Sequence, residues 1–180
     1  MPAWLTVYCS RSVSHLTAND ILGGIEDAHV DFHTVAEGFG IEDEEVVDQA
    51  LGQLQIEPVS ETGGVKFRLR YRSAEFRPVL IHLWDDAEIL QEEREEALEQ
   101  LEEVKGKAVK RVRSHLDRVV EVAALELGWS QVEDMGIVLA SQVAEYLAMI
   151  GDGLIRDQND DWWAVEDHVP VLLIGSERRG

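Results

Sequence analysis

The sequence predicts an α+β fold, with mixed or antiparallel sheets and helices packed on them, in a single domain spanning residues 1–180. Three observations carry this. Short apolar and aromatic runs recur between turn signals, as strands do. Longer stretches repeat apolar residues every three or four positions, as helices do. Two strand–helix alternations surround a central run of strands, which suits sheets with helices laid against them. A hydrophobic fraction of 45% that includes five tryptophans is enough to build a core and disfavours disorder.

Taken in order, Ala3 to Ser10 reads as a strand, because Trp4-Leu5-Thr6-Val7-Tyr8 is short, apolar and aromatic. Thr17 is placed to cap a helix running to about Ala28, with Ile21, Leu22 and Ile25 on one face. Val30 to Ala36 reads as a returning strand. The run Glu42-Asp43-Glu44-Glu45 puts negative charge where a helix macrodipole favours it. Behind it Val46, Val47, Ala50, Leu51 and Leu54 keep the spacing of a buried stripe.

A hairpin follows. Leu54, Ile56, Pro58 and Ser60 alternate with Gln55, Glu57, Val59 and Glu61, and Gly63-Gly64 can form a two-residue turn. Beyond it Val65, Phe67, Leu69 and Tyr71 share one face, and Lys66, Arg68, Arg70 and Arg72 the other. That turn would set Thr62 opposite Val65, Glu61 opposite Lys66, Glu57 opposite Arg70 and Ile56 opposite Tyr71.

Pro78 to Trp84 reads as a strand, and Asp85 to about Leu116 as one long helix with an acidic first half, a basic second half and a bend at Gly106. Periodicity leaves Val119–Leu127 open between strand and helix. Strand is the better reading, since a helix continued through it would far exceed the usual length. Ser130, with Glu133, can cap a helix to about Ile150 that Gly151 stops. Gly153–Arg156 and Trp162–Val165 form a hairpin around a polar loop, and Val171–Ile174 is a last strand. The junction near Trp84/Asp85 is where a second sub-layer could begin, although no flexible linker marks it.

The charge balance is 16 basic against 36 acidic residues, a net −20. So negative a surface repels nucleic acid and anionic membranes and attracts basic proteins over long range. No run approaches the ~18 apolar residues of a membrane-spanning helix. The N-terminus lacks the basic and apolar regions of a signal peptide, and the lone cysteine, Cys9, allows no internal disulfide. Cytoplasmic localisation is expected, with Cys9 as a small core residue.

Reactive constellations are few. If His29, Asp31 and His33 lie on one strand face they could meet a metal. That arrangement supports an alternative reading as a metal-assisted hydrolase, against the simpler one of a strand's wet side. Asp157-x-Asn159-x-Asp161 begins like a calcium loop, but Trp162 and His168 stand where glycine and glutamate are required. No cofactor and no catalysis are expected. Trp162 and Trp163 are adjacent, so one indole should be buried and the other exposed or at an interface.

The stretch Ala144-Glu145-Tyr146-Leu147-Ala148, then Asp152-Gly153-Leu154-Ile155-Arg156-Asp157, then Asp161-Trp162-Trp163 resembles a pattern of small bacterial proteins. Some of these are similar to the immunity proteins of polymorphic toxin systems. The resemblance covers about a fifth of the chain and transfers no catalytic residue. It implies a cytosolic α+β protein that binds and blocks a toxin domain. The leading expectation is therefore an acidic inhibitor that occludes a basic toxin or nuclease surface. Its contact residues would be Glu92, Glu95, Glu96 and Glu99, or Asp157, Asp160 and Asp161 beside Trp162 and Trp163. A further alternative is a structural or regulatory subunit whose long helix pairs with its own copy. The oligomeric state is not legible.

Overall fold

Strands from both ends of the chain meet in the middle of one sheet. The structure, a computed structural model, describes residues 1–60 and 63–176. In chain order the elements are β1 (Ala3–Cys9), α1 (Ala18–Glu26), α2 (Phe32–Gly38), α3 (Glu44–Gly52), β2 (Gln55–Pro58), β3 (Val65–Arg70), β4 (Val79–Trp84) and α4 (Ala87–Gln100). There follow α5 (Lys107–Leu116), β5 (Glu121–Leu127), α6 (Trp129–Val132), α7 (Met135–Ile150), β6 (Gly153–Arg156), β7 (Trp162–Glu166) and β8 (Val169–Ile174). The eight strands form one antiparallel sheet in the order β2-β3-β4-β5-β1-β6-β7-β8. This is the expected α+β class. β4, which ends at Trp84, pairs with β5, so residues on both sides of the 84/85 junction share one sheet.

Alternation along β1 divides the core in two. Leu5, Val7 and Cys9 face a layer made by α7 with α1, α2 and α3. Tyr8 faces the other way, onto Ala97, Leu101, Val109, Val112 and Leu116 of the α4–α5 segment, with Val122, Leu154 and Trp162 from the sheet. That second cluster takes nothing from β2 or β3, whose corresponding face carries Lys66, Arg68 and Arg70 instead. Helix α7 is buried along most of its length, from Met135 to Ala148. Among the described residues no helix is long and apolar enough to cross a membrane. Cys9 is fully buried and free, as expected, and burial beside Glu121 pushes its thiol up to about 12.

Four expectations are corrected. Residues 32–38 are helix α2, not part of a strand. Asp31 caps it by accepting from the His33 N–H at 3.1 Å and the Thr34 hydroxyl at 2.9 Å. Phe32, Val35 and Ala36 then meet the core at the i, i+3, i+4 spacing that short apolar runs share with strands. Second, the stretch 85–116 is two helices. α4 ends at the cap residue Leu101, and α5 starts after Gly106, whose φ of 129° is a conformation suited to glycine. Leu101 and Val104 dip into the core between them, so the apolar stripe runs on while the backbone turns. The single long helix expected over 85–116 is therefore not formed.

Third, the β2–β3 register lies two residues from the expected one. Glu57 faces Arg68 and Ile56 faces Leu69. A slip of two keeps every side chain on its face, so alternation could not detect it. Arg70 still reaches Glu57 diagonally at 3.3 Å. The expected partners Glu61 and Thr62 lie outside the described residues. Fourth, Ser130 does not begin the long helix. Gln131 accepts from the Gly128 N–H at 2.7 Å to start α6, and Asp134 caps α7 through the Gly136 N–H at 2.6 Å.

Candidate functional site

Helix α4 owes its place to its inner face and its character to its outer one. Asp86 caps it, accepting from the N–H groups of Glu88 and Ile89. Ala97 and Leu101 are fully buried, and Leu90 and Leu98 pack beside them. Glu92, Glu95, Glu96 and Glu99 are thereby left exposed, while Glu93, between the faces, is half-buried. Burial raises the Glu93 carboxyl, the neighbouring charges of Glu96 and Glu92 raise it further, and Arg156 opposes them.

The 157–161 loop is built by its own first residue. Asp157 accepts from the N–H groups of Asn159 at 2.8 Å and Asp161 at 3.0 Å, and from the Trp163 indole at 2.9 Å. These bonds close the turn with no ion, as Asp and Asn do in Asx turns. Asp160 takes a φ of 63°.

Arg156 joins the two segments. From β6 its guanidinium reaches Glu96 on α4 at 3.1 Å and Asp160 in the loop at 2.8 Å, and it touches the Tyr8 hydroxyl at 3.4 Å. The arginine side chain is only 11% exposed, so this contact is less screened than an ordinary surface pair. Beneath it Tyr8 stacks on Trp162 at 5.2 Å between ring centroids. Burial holds the phenol well above its ordinary range, so it stays neutral.

A cleft of about 310 Å³ opens beside this junction, with Trp4, Thr6, Trp84 and Arg156 on the sheet side and Glu93 and Glu96 of α4 opposite. The imidazole of His82 completes a three-ring cluster, 5.3 Å from Trp4 and 5.0 Å from Trp84, with the two indoles 6.4 Å apart. Its Nε2 meets Glu126 at 3.0 Å, and Arg77 pairs with the same carboxylate. Trp84 is seated by Gly64: a Cβ there would lie 2.2 Å from the indole Nε1, at a φ of +85°. Gly64→Ala is therefore expected to cost about 2–4 kcal/mol, summing an unfavourable left-handed alanine and overpacking. Urea denaturation followed by tryptophan fluorescence would read it.

Of the residues expected to bind a partner, Glu96 and Asp160 come together through Arg156, and Glu92, Glu95 and Glu99 share the α4 surface. Trp162 is withdrawn from any surface, at 0% exposure, and Trp163 is half-buried. The two indoles do point to opposite faces, as expected, but Trp163 is not exposed: it packs against the first core cluster and donates to Asp157. Trp4, Trp84, Glu93 and Arg156 were not anticipated. Arg156 alone left a trace in sequence, as a single cation leading into an acidic loop.

The metal triplet does not assemble. Asp31 is spent on capping α2, His33 turns to Asp48 at 3.0 Å, and His29 lies in the preceding turn with a φ of 51°. Among the described residues no group of three or more His, Cys, Asp or Glu side chains is placed to hold a metal ion. No family model, no curated protein and no solved structure matches this chain.

Proposed function

We propose that the protein is an acidic binding module that occludes a basic surface of another protein, in the manner of an immunity or inhibitor protein acting on a bacterial toxin or nuclease domain. The observation that supports this reading is the meeting of its two acidic segments: α4 and the 157–161 loop adjoin through Arg156. Their carboxylates sum into one local field instead of two weak ones. With a net charge of −20, such a field steers a cationic partner and speeds encounter by about 10–10³-fold at low salt.

Charge brings the partner in, and apolar contact slows its release. Trp4 and Trp84, both half-exposed at the edge of the acidic surface, are the anchors this reading selects. Catalysis and a cofactor have no part in it, and its setting is the bacterial cytoplasm. Affinity capture on the immobilised protein from cells that express it is the test. At about 0.05 M salt a basic protein should be retained, and about 0.5 M salt should release it. Retention of no basic protein, or retention indifferent to salt, would sink the proposal.

A further inference from the structure

A second cleft, of about 970 Å³, lies between α1, α7 and the β7–β8 turn, away from Arg156 and the α4 surface. Its wall is one face of α7, where Gln142, Glu145, Tyr146 and Met149 follow at helical spacing. Tyr146 lies flat against α1 over Gly24, where a Cβ would come within 2.4 Å of the ring. Gln142 is only 6% exposed, yet its amide makes no hydrogen bond among the described residues. Glu145 is half-buried and likewise has no hydrogen bond or ion pair among them. Buried polar groups are ordinarily satisfied. Gln142 and Glu145 instead open on the cleft, a single turn apart and without a partner from the chain, so an occupant of the cleft can supply one.

The rim identifies the guest. Asp20 comes from α1, Asp27 and His29 from the segment after it, and Asp167 and His168 from the β7–β8 turn. Asp20 is engaged in capping α1 through Thr17, so Asp27, Asp167 and Glu145 are the three carboxyl groups that line the space, beside the apolar surfaces of Tyr146, Met149 and Val169. We infer that this cleft binds an organic cation, an alkyl-guanidinium or alkyl-ammonium group. Its stem lies on Tyr146 and Met149, and its N–H groups donate to Glu145 and to the Gln142 carbonyl oxygen. Burial without a counter-charge pushes the Glu145 carboxyl up to about 7, so the arriving cation also supplies the charge that lets it ionise. Binding then releases a proton.

Butylguanidinium, titrated into the isotope-labelled full chain and followed by amide chemical shifts, tests this. Shifts should centre on 19–30, 142–149 and 167–169. Affinity should fall about tenfold between pH 8 and pH 6, the change in the ionised fraction of an acid titrating near 7. Glu145→Gln should weaken binding and abolish that pH dependence. The double variant His29→Asn/His168→Asn should keep it, which separates the carboxyl from the two imidazoles. A folded-state value raised above the unfolded one stabilises at low pH, and that contribution is lost as pH rises through about 7. Thermal melts should therefore show Glu145→Gln gaining in Tm over the wild type from pH 5 to pH 8, a check that the variant folds. A Gly-Arg-Gly peptide binding at least tenfold tighter than butylguanidinium would identify a protein side chain as the source; equal affinity would identify a free small cation. Shifts elsewhere, equal affinity at both pH values, or unaltered binding by Glu145→Gln would overturn the inference. A cation bound here while no basic protein is captured would leave this site standing and remove only the docking face.

Discussion

Replacing Glu92, Glu95, Glu96 and Glu99 together by glutamine is expected to slow association with the captured basic partner by about 10–100-fold, with a much smaller change in its dissociation rate. The variant should also be slightly more stable than the wild type. Glu92 and Glu96, and Glu95 and Glu99, are spaced i, i+4 on an exposed helix face, where each like-charge pair costs about 0.2–0.5 kcal/mol. At Glu96 the pair with Arg156 offsets part of that repulsion and is lost in the variant, so the expected gain is slight. Gln91 holds Glu95 at 2.8 Å, Arg156 reaches Glu96, and Arg94 turns away to pair with Asp117. The opposite directions of the two effects separate docking from mere solubility. If the acids only keep the protein dissolved, neutralising four of them raises stability and leaves the association rate alone. Stopped-flow association at two salt concentrations, with urea denaturation of the free proteins, reads both.

Trp162→Ala is expected to cost about 3–5 kcal/mol, the largest loss from any substitution considered. The indole is 0% exposed, stacks on Tyr8 and sits in the cluster with Leu101, Val112 and Leu154. Removing it opens a cavity under Arg156, at the point where α4 meets the loop. Trp162→Phe should cost far less, because the Trp162 N–H is buried without a partner and phenylalanine deletes that unpaired donor. Equilibrium urea denaturation distinguishes the two variants. A small loss for alanine would mean that the second core does not depend on this ring.

The same tryptophan shows what a sequence can and cannot disclose. That one of two adjacent strand residues points inward follows from the pleat. Which one does so depends on how β7 pairs with β6 and β8, and a register shift between Trp162 and Trp163 intervenes. Strand β1, the cap at Thr17 and the β6–β7 hairpin were legible because their signals are local. The pairing of β1 with both β5 and β6 was not, because it joins residues more than a hundred positions apart. Helix α2 was misread because the Asp31 cap and a three-residue apolar spacing fit either element. The acidic segments were legible from composition, whereas their juxtaposition rests on one arginine whose partners lie 60 residues back and four residues ahead. The Glu145 cleft left no sequence signal, since an acid within an apolar helix looks the same whether or not it has a partner.

Carboxylate footprinting tests the docking face by labelling exposed acids with a carbodiimide and an amine, in the free protein and in its complex with the captured partner. Glu92, Glu95, Glu96, Glu99, Asp160 and Asp161 should lose most of their labelling on binding, while Glu42, Glu44, Glu45 and Glu133 keep theirs. Unchanged labelling along α4 and the 157–161 loop, with protection falling on those other acids instead, would contradict the proposed docking face.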